Sequence, residues 1–238
     1  MANAKNYLWL SHSMRCGFLC GKGWDRYTMD QRLRTDHGYN LQLLKDLDCE
    51  EDWLQTPIIN PIQGVPTRLV GFNYALTSKE FGKAVHFYLD DYQFERVWRS
   101  PEKYIKILRK FEYVFTPDFS LYMDMPKAQQ IYNIYRSRLL GAYWQSRGIS
   151  VIPTLSWSDE QSFDFVFDGL KKGGTVTIST VGVVKDKEAR DFWVKGANEA
   201  VKRLEPKSVI VYGTPIEFDS KDAEVINFKN TNTERFEV

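Results

Sequence analysis

Charge of one sign is what this sequence most plainly lacks: Lys and Arg number 32 against 31 Asp and Glu. With that balance the molecule as a whole exerts no bulk pull on duplex DNA, so a nucleic-acid partner would need a local basic patch. Cysteine and histidine are scarce too, at three each. An odd number of cysteines in a chain of this length (Cys16, Cys20 and Cys49) fits reduced thiols better than a disulfide framework. No apolar run approaches the roughly 20 residues needed to span a bilayer. The opening MANAKNYLWLSHSMR has neither the long apolar core nor the small-residue cleavage site of a secretory signal. The expectation is a cytoplasmic protein with no membrane partner.

Several chemical signatures are absent as well. CGKGW contains Gly-Lys-Gly, but no strand precedes it and the G-x-x-x-x-G-K-[ST] frame of a phosphate loop is missing. There is no G-x-S-x-G elbow and no H-E-x-x-H helix. His12, Cys16 and Cys20 fall at i, i+4, i+8 and Cys49 could complete a zinc set, yet Gly17, Gly21 and Gly23 oppose a helix there. A C-x3-C-x2-C iron–sulfur pattern fails at Gly23. Ordinary buried thiols are the simpler reading. Of the histidines, His86 falls inside an apolar run and reads as a packed core residue.

What the sequence does have is an ordinary globular composition, 43% hydrophobic and 26% charged, in a chain long enough to bury a proper core. Residues 1–60 mix Tyr7, Trp9, Phe18, Trp24 and Tyr27 with glycines and charges without a sustained period, which predicts an irregular or helical N-terminal cap ahead of an α/β domain over 61–238. The segment TPIINPIQGVPT, with three prolines and a glycine, reads as an extended connection or a substrate-lining loop. From Arg68 onward short apolar runs alternate with helical periods. Strands are predicted over 68–75, 84–91, 112–119, 149–157, 175–181, 208–214 and 223–228. Helices are predicted over 100–111, 126–147 and 186–205. In the last of these Ala189, Phe192, Trp193, Gly196, Ala197, Ala200, Val201 and Leu204 mark one buried stripe, and Pro206 ends it.

Strand, helix, strand in regular succession is the repeat of right-handed βαβ units, so the sheet should be mostly parallel and covered by helices. The strands are near-continuous apolar runs, as expected when both faces are buried. With no glycine-rich dinucleotide fingerprint after any strand, an incomplete or distorted (β/α) barrel is favoured over an open doubly wound sheet.

In either architecture a ligand belongs at the carboxyl ends of the strands. The acids there cluster after the second, third and fourth strands. Asp118, Asp90 and Asp124 are the candidate catalytic residues, and Asp118 and Asp90 are also candidate oxygen ligands for Mg²⁺ or Mn²⁺. Asp after a strand is equally a preferred helix cap, which accounts for Asp91, Asp159 and also Asp124, close before Pro126. Asp118, several residues ahead of the helix, is not explained that way. Ser156 and Trp157 at the fourth strand end, with Arg136 and Arg138 on the following helix pattern YNIYRSRLLGAYWQSR, are the candidate substrate-binding residues. Interleaved Arg and aromatic residues can stack bases and bind phosphates. At helical spacing, however, the aromatics share one face and read as core, with the arginines solvated opposite.

Three elements, PDFS-x-Y-x-D-x-P (117–126), YR-x-R-x-x-G-x-YWQ (135–145) and P-x-x-SW (153–157), lie within a stretch from about residue 60 to 215. That stretch resembles an uncharacterised family, a domain of unknown function found in bacteria, phages and other mobile elements. The resemblance implies a phage or mobile-element origin and carries no catalytic residues or cofactor with it. Two function classes follow. One is a metal-assisted enzyme acting on a phosphate-containing or nucleic-acid substrate at the strand ends. The other is a non-catalytic phage or prophage protein that binds a host protein or nucleic acid.

Overall fold

The structure, a computed structural model, describes residues 37–230. His12, Cys16 and Cys20 lie outside them, so their expected roles, and most of the N-terminal cap, do too. Within them the chain forms β1 (Leu69–Gly71), α1 (Phe72–Ala75), β2 (Ala84–His86), α2 (Asp91–Arg99), α3 (Pro101–Leu108), β3 (Tyr113–Phe115), α4 (Lys127–Ser146), β4 (Val151–Ile152), β5 (Thr175–Ser179), α5 (Lys187–Leu204), β6 (Ser208–Tyr212) and β7 (Glu224–Phe228). This is mixed α/β architecture with parallel sheets. One sheet runs β1-β2-β3-β4 and the other β5-β6-β7, with every neighbouring pair parallel.

The strands of the first sheet are shorter than their apolar runs suggest. After β3 and β4 come Pro117 and Pro153, which have no N–H to give a ladder. Side chains take over: the Thr116 hydroxyl accepts from the Thr154 N–H at 2.8 Å, and the Thr154 hydroxyl donates to the Thr116 carbonyl at 2.8 Å. After β1 the chain leaves the sheet at once into the helical turn α1, so 68–75 is not one strand. The helix α2 was not among the predicted elements, because its apolar residues Phe94, Val97 and Trp98 follow so closely on the strand that its period is short.

The two sheets meet edge to edge. Thr154 and Thr177 form a parallel bridge, with the Leu155 N–H donating to the Thr177 carbonyl at 2.8 Å and the Thr177 N–H to the Pro153 carbonyl at 3.0 Å. Alternation along the strands sorts side chains to two faces. Val85, Val114 and Val151 join one cluster with Phe72, Leu108, Leu139 and Trp144, while Val176, Ile178, Val209 and Val211 pack with Trp193, Ala197 and Val201 of α5. The opposite faces of both sheets share a single inner cluster of Ala84, Tyr88, Phe115, Ile152, Ile210 and Tyr212, with Leu69 and Phe228 against it.

Helix ends follow local chemistry. The Asp186 carboxylate accepts from the Ala189 N–H at 2.9 Å, Glu188 sits in the first turn of α5, and Lys202 and Arg203 in the last, each sign matched to the helix dipole. Helix α4 stops at Gly148, whose φ of 78° is the left-handed conformation glycine adopts without strain. Ahead of β1, Leu43, Leu44, Leu47 and Ile59 pack into the first core cluster. Cys49 carries a disulfide, so the expectation of reduced thiols does not hold at that position.

Candidate functional site at the carboxyl ends of the strands

A cavity of about 1570 Å³ opens where the strands end. Its wall takes Asn73 and Tyr74 after β1, Tyr88 to Asp90 after β2, Asp118 and Ser120 after β3, Leu155 to Ser158 after β4, Ser179 and Val181 from the end of β5, and the first turns of α5. The volume exceeds the few hundred to about 1,000 Å³ usual for a small-molecule pocket. Of the residues singled out in the sequence, Asp118, Asp90, Ser156 and Trp157 are all on this wall. Asp124, Arg136 and Arg138 are not.

Asp118 lies where β2, β3 and β4 converge. Its carboxyl is pushed up to about 7, first by desolvation, then by the like charge of Asp91, while a hydrogen bond with the Ser156 side chain acts the other way. The Asp91 charge is held there by structure. As the first residue of α2 it caps nothing with its side chain; it accepts instead from the Ser120 N–H at 3.2 Å and the Ser120 hydroxyl at 2.9 Å. The expected cap is thus a tether between the loops after β2 and β3. Asp159 does cap, in a capping box with Ser162. Asp90 is exposed at the cavity mouth, 3.4 Å from the Gln93 side-chain amide that donates to it. Asp124 is exposed in the turn before α4, and the N-cap position there belongs to Pro126.

Beneath Asp118 the inner cluster is polar at its top. The Tyr88 hydroxyl is 2.8 Å from the Thr177 hydroxyl, and the phenol is held protonated by burial first and the Asp118 charge second. Its ring stacks on Tyr212 at 4.9 Å, and His86 packs on the same tyrosine at 4.7 Å. His86 is buried and pushed down to about 3 by desolvation, so it is the neutral core histidine its position predicts. The Trp157 indole meets Trp193 at 6.2 Å. It fits because position 196 has no side chain: a Cβ at Gly196 would overlap the indole. Trp193 is fixed in turn by its indole N–H, which donates to the Ser179 carbonyl at 2.7 Å.

The two arginines are committed elsewhere, and neither is solvated. Arg136 donates to both Glu95 carboxylate oxygens, at 3.0 and 3.1 Å, and to Asn133 at 2.7 Å, with its guanidinium 3.8 Å from the Phe119 ring centre. Arg138 is fully buried and donates to the carbonyls of Asp168, Thr154 and Val166 at 3.1, 3.2 and 2.7 Å. Burial lowers its pKa to about 10, which leaves it charged at neutral pH. It joins α4 to the chain around β4. No periodicity argument anticipates this, because the carbonyls it satisfies are 16 to 30 residues away.

Sequence reading passed over Tyr88, Asp91 and the acids at the start of α5. Tyr88 was hidden in an apolar run and Asp91 behind a generic capping preference. Among the described residues no group of three or more His, Cys, Asp or Glu side chains is disposed to hold a metal ion, and no helix is long and apolar enough to cross a membrane.

Comparison with known proteins places this geometry in a family. The model of a domain of unknown function, DUF4417, matches residues 50–229. A Gene 1 protein of Mycobacterium phage L5 is 41% identical over 174 residues, 71% of this chain and 75% of that protein. A Gene 1 protein of Mycobacterium phage D29 is 42% identical over 165 residues, 67% of this chain and 60% of that protein. No solved structure matches.

Proposed function

The chain belongs to the DUF4417 family, and from that premise we propose that the cavity is the active site of an enzyme acting by acid–base chemistry, with Asp118 as the group that transfers the proton. The carrying observation is the placement of that carboxyl: walled by three strand ends, hydrogen-bonded to Ser156 and backed by Asp91, it has a pKa of about 7. At neutral pH both its forms are populated, which is the condition for giving and taking a proton efficiently. Ser156 orients the carboxyl. Tyr88, protonated beside it, offers a hydrogen-bond donor to an oxygen on the substrate, and Trp157 supplies a flat wall. Arg136 and Arg138 serve the scaffold, holding Glu95 and the carbonyls around β4.

A metal-assisted variant of this reading puts Mg²⁺ or Mn²⁺ between Asp118 and Asp90, and what favours it is that both carboxylates face one cavity. A phosphate-containing or nucleic-acid substrate would depend on such an ion, because Lys195 on the wall is paired with Glu160 at 3.1 Å. The seven strands are also read as one curled sheet, an incomplete (β/α) barrel, supported by the Thr154–Thr177 bridge and the shared inner cluster. The phage relatives support a phage or prophage origin and action in the cytoplasm of the host cell.

The test uses the full chain and its Asp118→Asn variant. Metabolite mixtures with and without Mg²⁺ or Mn²⁺ are screened by thermal shift, and compounds that bind are followed for turnover by mass spectrometry. Turnover by the parent protein and its loss in the variant are expected. Equal turnover in both, or binding without any turnover, rejects the enzymatic reading; the latter favours a non-catalytic protein that binds a host factor or ligand.

A further inference from the structure

Among the described residues the cavity wall carries four carboxylates, on Asp90, Asp186, Glu188 and Asp191, and the partly protonated Asp118, against the single ammonium of Lys195. Lys195 is already neutralised by Glu160, and none of the five acids takes part in an ion pair among the described residues. The dipole of α5, with Asp186 at its N-cap, Glu188 in its first turn and Asp191 just beyond, offsets only about half a unit of charge. The rim is apolar and aromatic: Tyr74, Tyr92, Tyr122, Met123 and Val181 stand exposed around the mouth, Tyr92 with 79% and Tyr122 with 62% of its surface free. Exposed large hydrophobic side chains gathered round one opening are a feature of ligand sites.

We propose that the occupant of this cavity is an organic cation with a flat or apolar body, an amidinium, guanidinium or alkylammonium compound, rather than a phosphate ester. The negative wall attracts the charge and concentrates such a ligand at the mouth. The electron-rich faces of Tyr92, Tyr122 and Trp157 take its body, where cation–π attraction adds to burial. Phosphates meet the opposite field, with no unpaired cation among the described residues of the wall to receive them. This assignment rests on reading the cavity as the substrate site and names the class of substrate.

Three probes of nearly equal shape and different charge test it: benzamidine, benzamide and benzoate, titrated against the full chain with tryptophan fluorescence and ligand-observed NMR. Benzamidine is expected to bind about tenfold more tightly than benzamide, its affinity to fall as salt rises, and benzoate to bind least. The double variant E188Q/D191N should cut the preference for benzamidine several-fold, and Tyr92→Ala should weaken benzamidine and benzamide together. Equal or stronger binding of benzoate, failure of all three to bind in the millimolar range, or an unchanged preference in E188Q/D191N would overturn the proposal. The outcome separates from that for Asp118. A lost charge preference alongside turnover that depends on Asp118 removes only the substrate class, and a kept preference with turnover indifferent to Asp118→Asn removes only the proton-transfer role.

Discussion

The Asp91 carboxylate is bound at once by the backbone N–H and the hydroxyl of Ser120. That tie fixes a negative charge behind Asp118, on a residue that cannot swing away without releasing the loop after β3. Desolvation first and that charge second keep Asp118 protonated over a range in which an ordinary aspartate is ionised.

The first prediction is one of sign. Asp118 has a folded pKa of about 7 against a usual value of 3.8, so as pH rises through that window the unfolded chain loses its proton first and the folded state is destabilised. Asp118→Asn should therefore raise stability at pH 8, by on the order of 1–3 kcal/mol, and change it little at pH 4. Melting curves at the two pH values check this. Equal shifts at both would mean the carboxyl is not desolvated.

His86 acts in the opposite direction over part of the same window. Its pKa falls from 6.5 to about 3 on folding, so stability drops as pH falls below 6.5 and the unfolded chain takes up a proton that the folded one refuses. His86→Gln should flatten the acid side of the pH–stability profile. In the Asp118→Asn background, where the compensating carboxyl is gone, the acid sensitivity due to His86 should steepen, as urea titrations between pH 4 and 7 would record.

Arg138→Met should be among the most damaging single changes. It leaves the buried carbonyls of Thr154 and Val166 and the half-buried carbonyl of Asp168 without their donor, at an expected cost of about 3–5 kcal/mol. Arg138→Lys keeps the charge but offers no fork to span three acceptors, and should recover less than half of the loss in urea unfolding. Near-complete recovery by lysine would show that the charge alone matters.

Gly196→Ala sets two effects against each other. Alanine favours a helix by up to about 1 kcal/mol over glycine, but here its Cβ overlaps the Trp157 indole, and overpacking costs about 1–3 kcal/mol. Net destabilisation is expected. A shift in tryptophan emission should accompany it as Trp157 is pushed into the cavity, and weaker ligand binding should follow.

How much of this was readable without coordinates differs residue by residue. The helices at 127–146 and 187–204 stand within a residue or two of where periodicity, Pro126, Gly148 and Pro206 put them, because caps and stops are local chemistry. The rule that ligands sit at the carboxyl ends of parallel strands singled out Asp118, Asp90, Asp124, Ser156 and Trp157; βαβ order brings all but Asp124 to one cavity wall. Arg136 and Arg138 show the limit. Spacing put them on an exposed face, yet α4 is buried on several sides, and only the fold reveals the Glu95, Thr154 and Val166 partners that hold them. Asp91 and Asp118 differ in the same way: both follow a strand as acids, and what makes one a tether beside the other's desolvated carboxyl is a contact 29 residues away along the chain.

Local order of side chains, with a period of two in strands and 3.6 in helices, was thus enough to settle the parallel α/β architecture and to point to the strand ends, where a cavity opens. Which carboxylate is desolvated, which arginine is spent on the scaffold and where an acidic, aromatic-rimmed cavity opens were decided by tertiary structure alone. Burial and electrostatic fields sum over residues distant in sequence, and no local pattern records that sum.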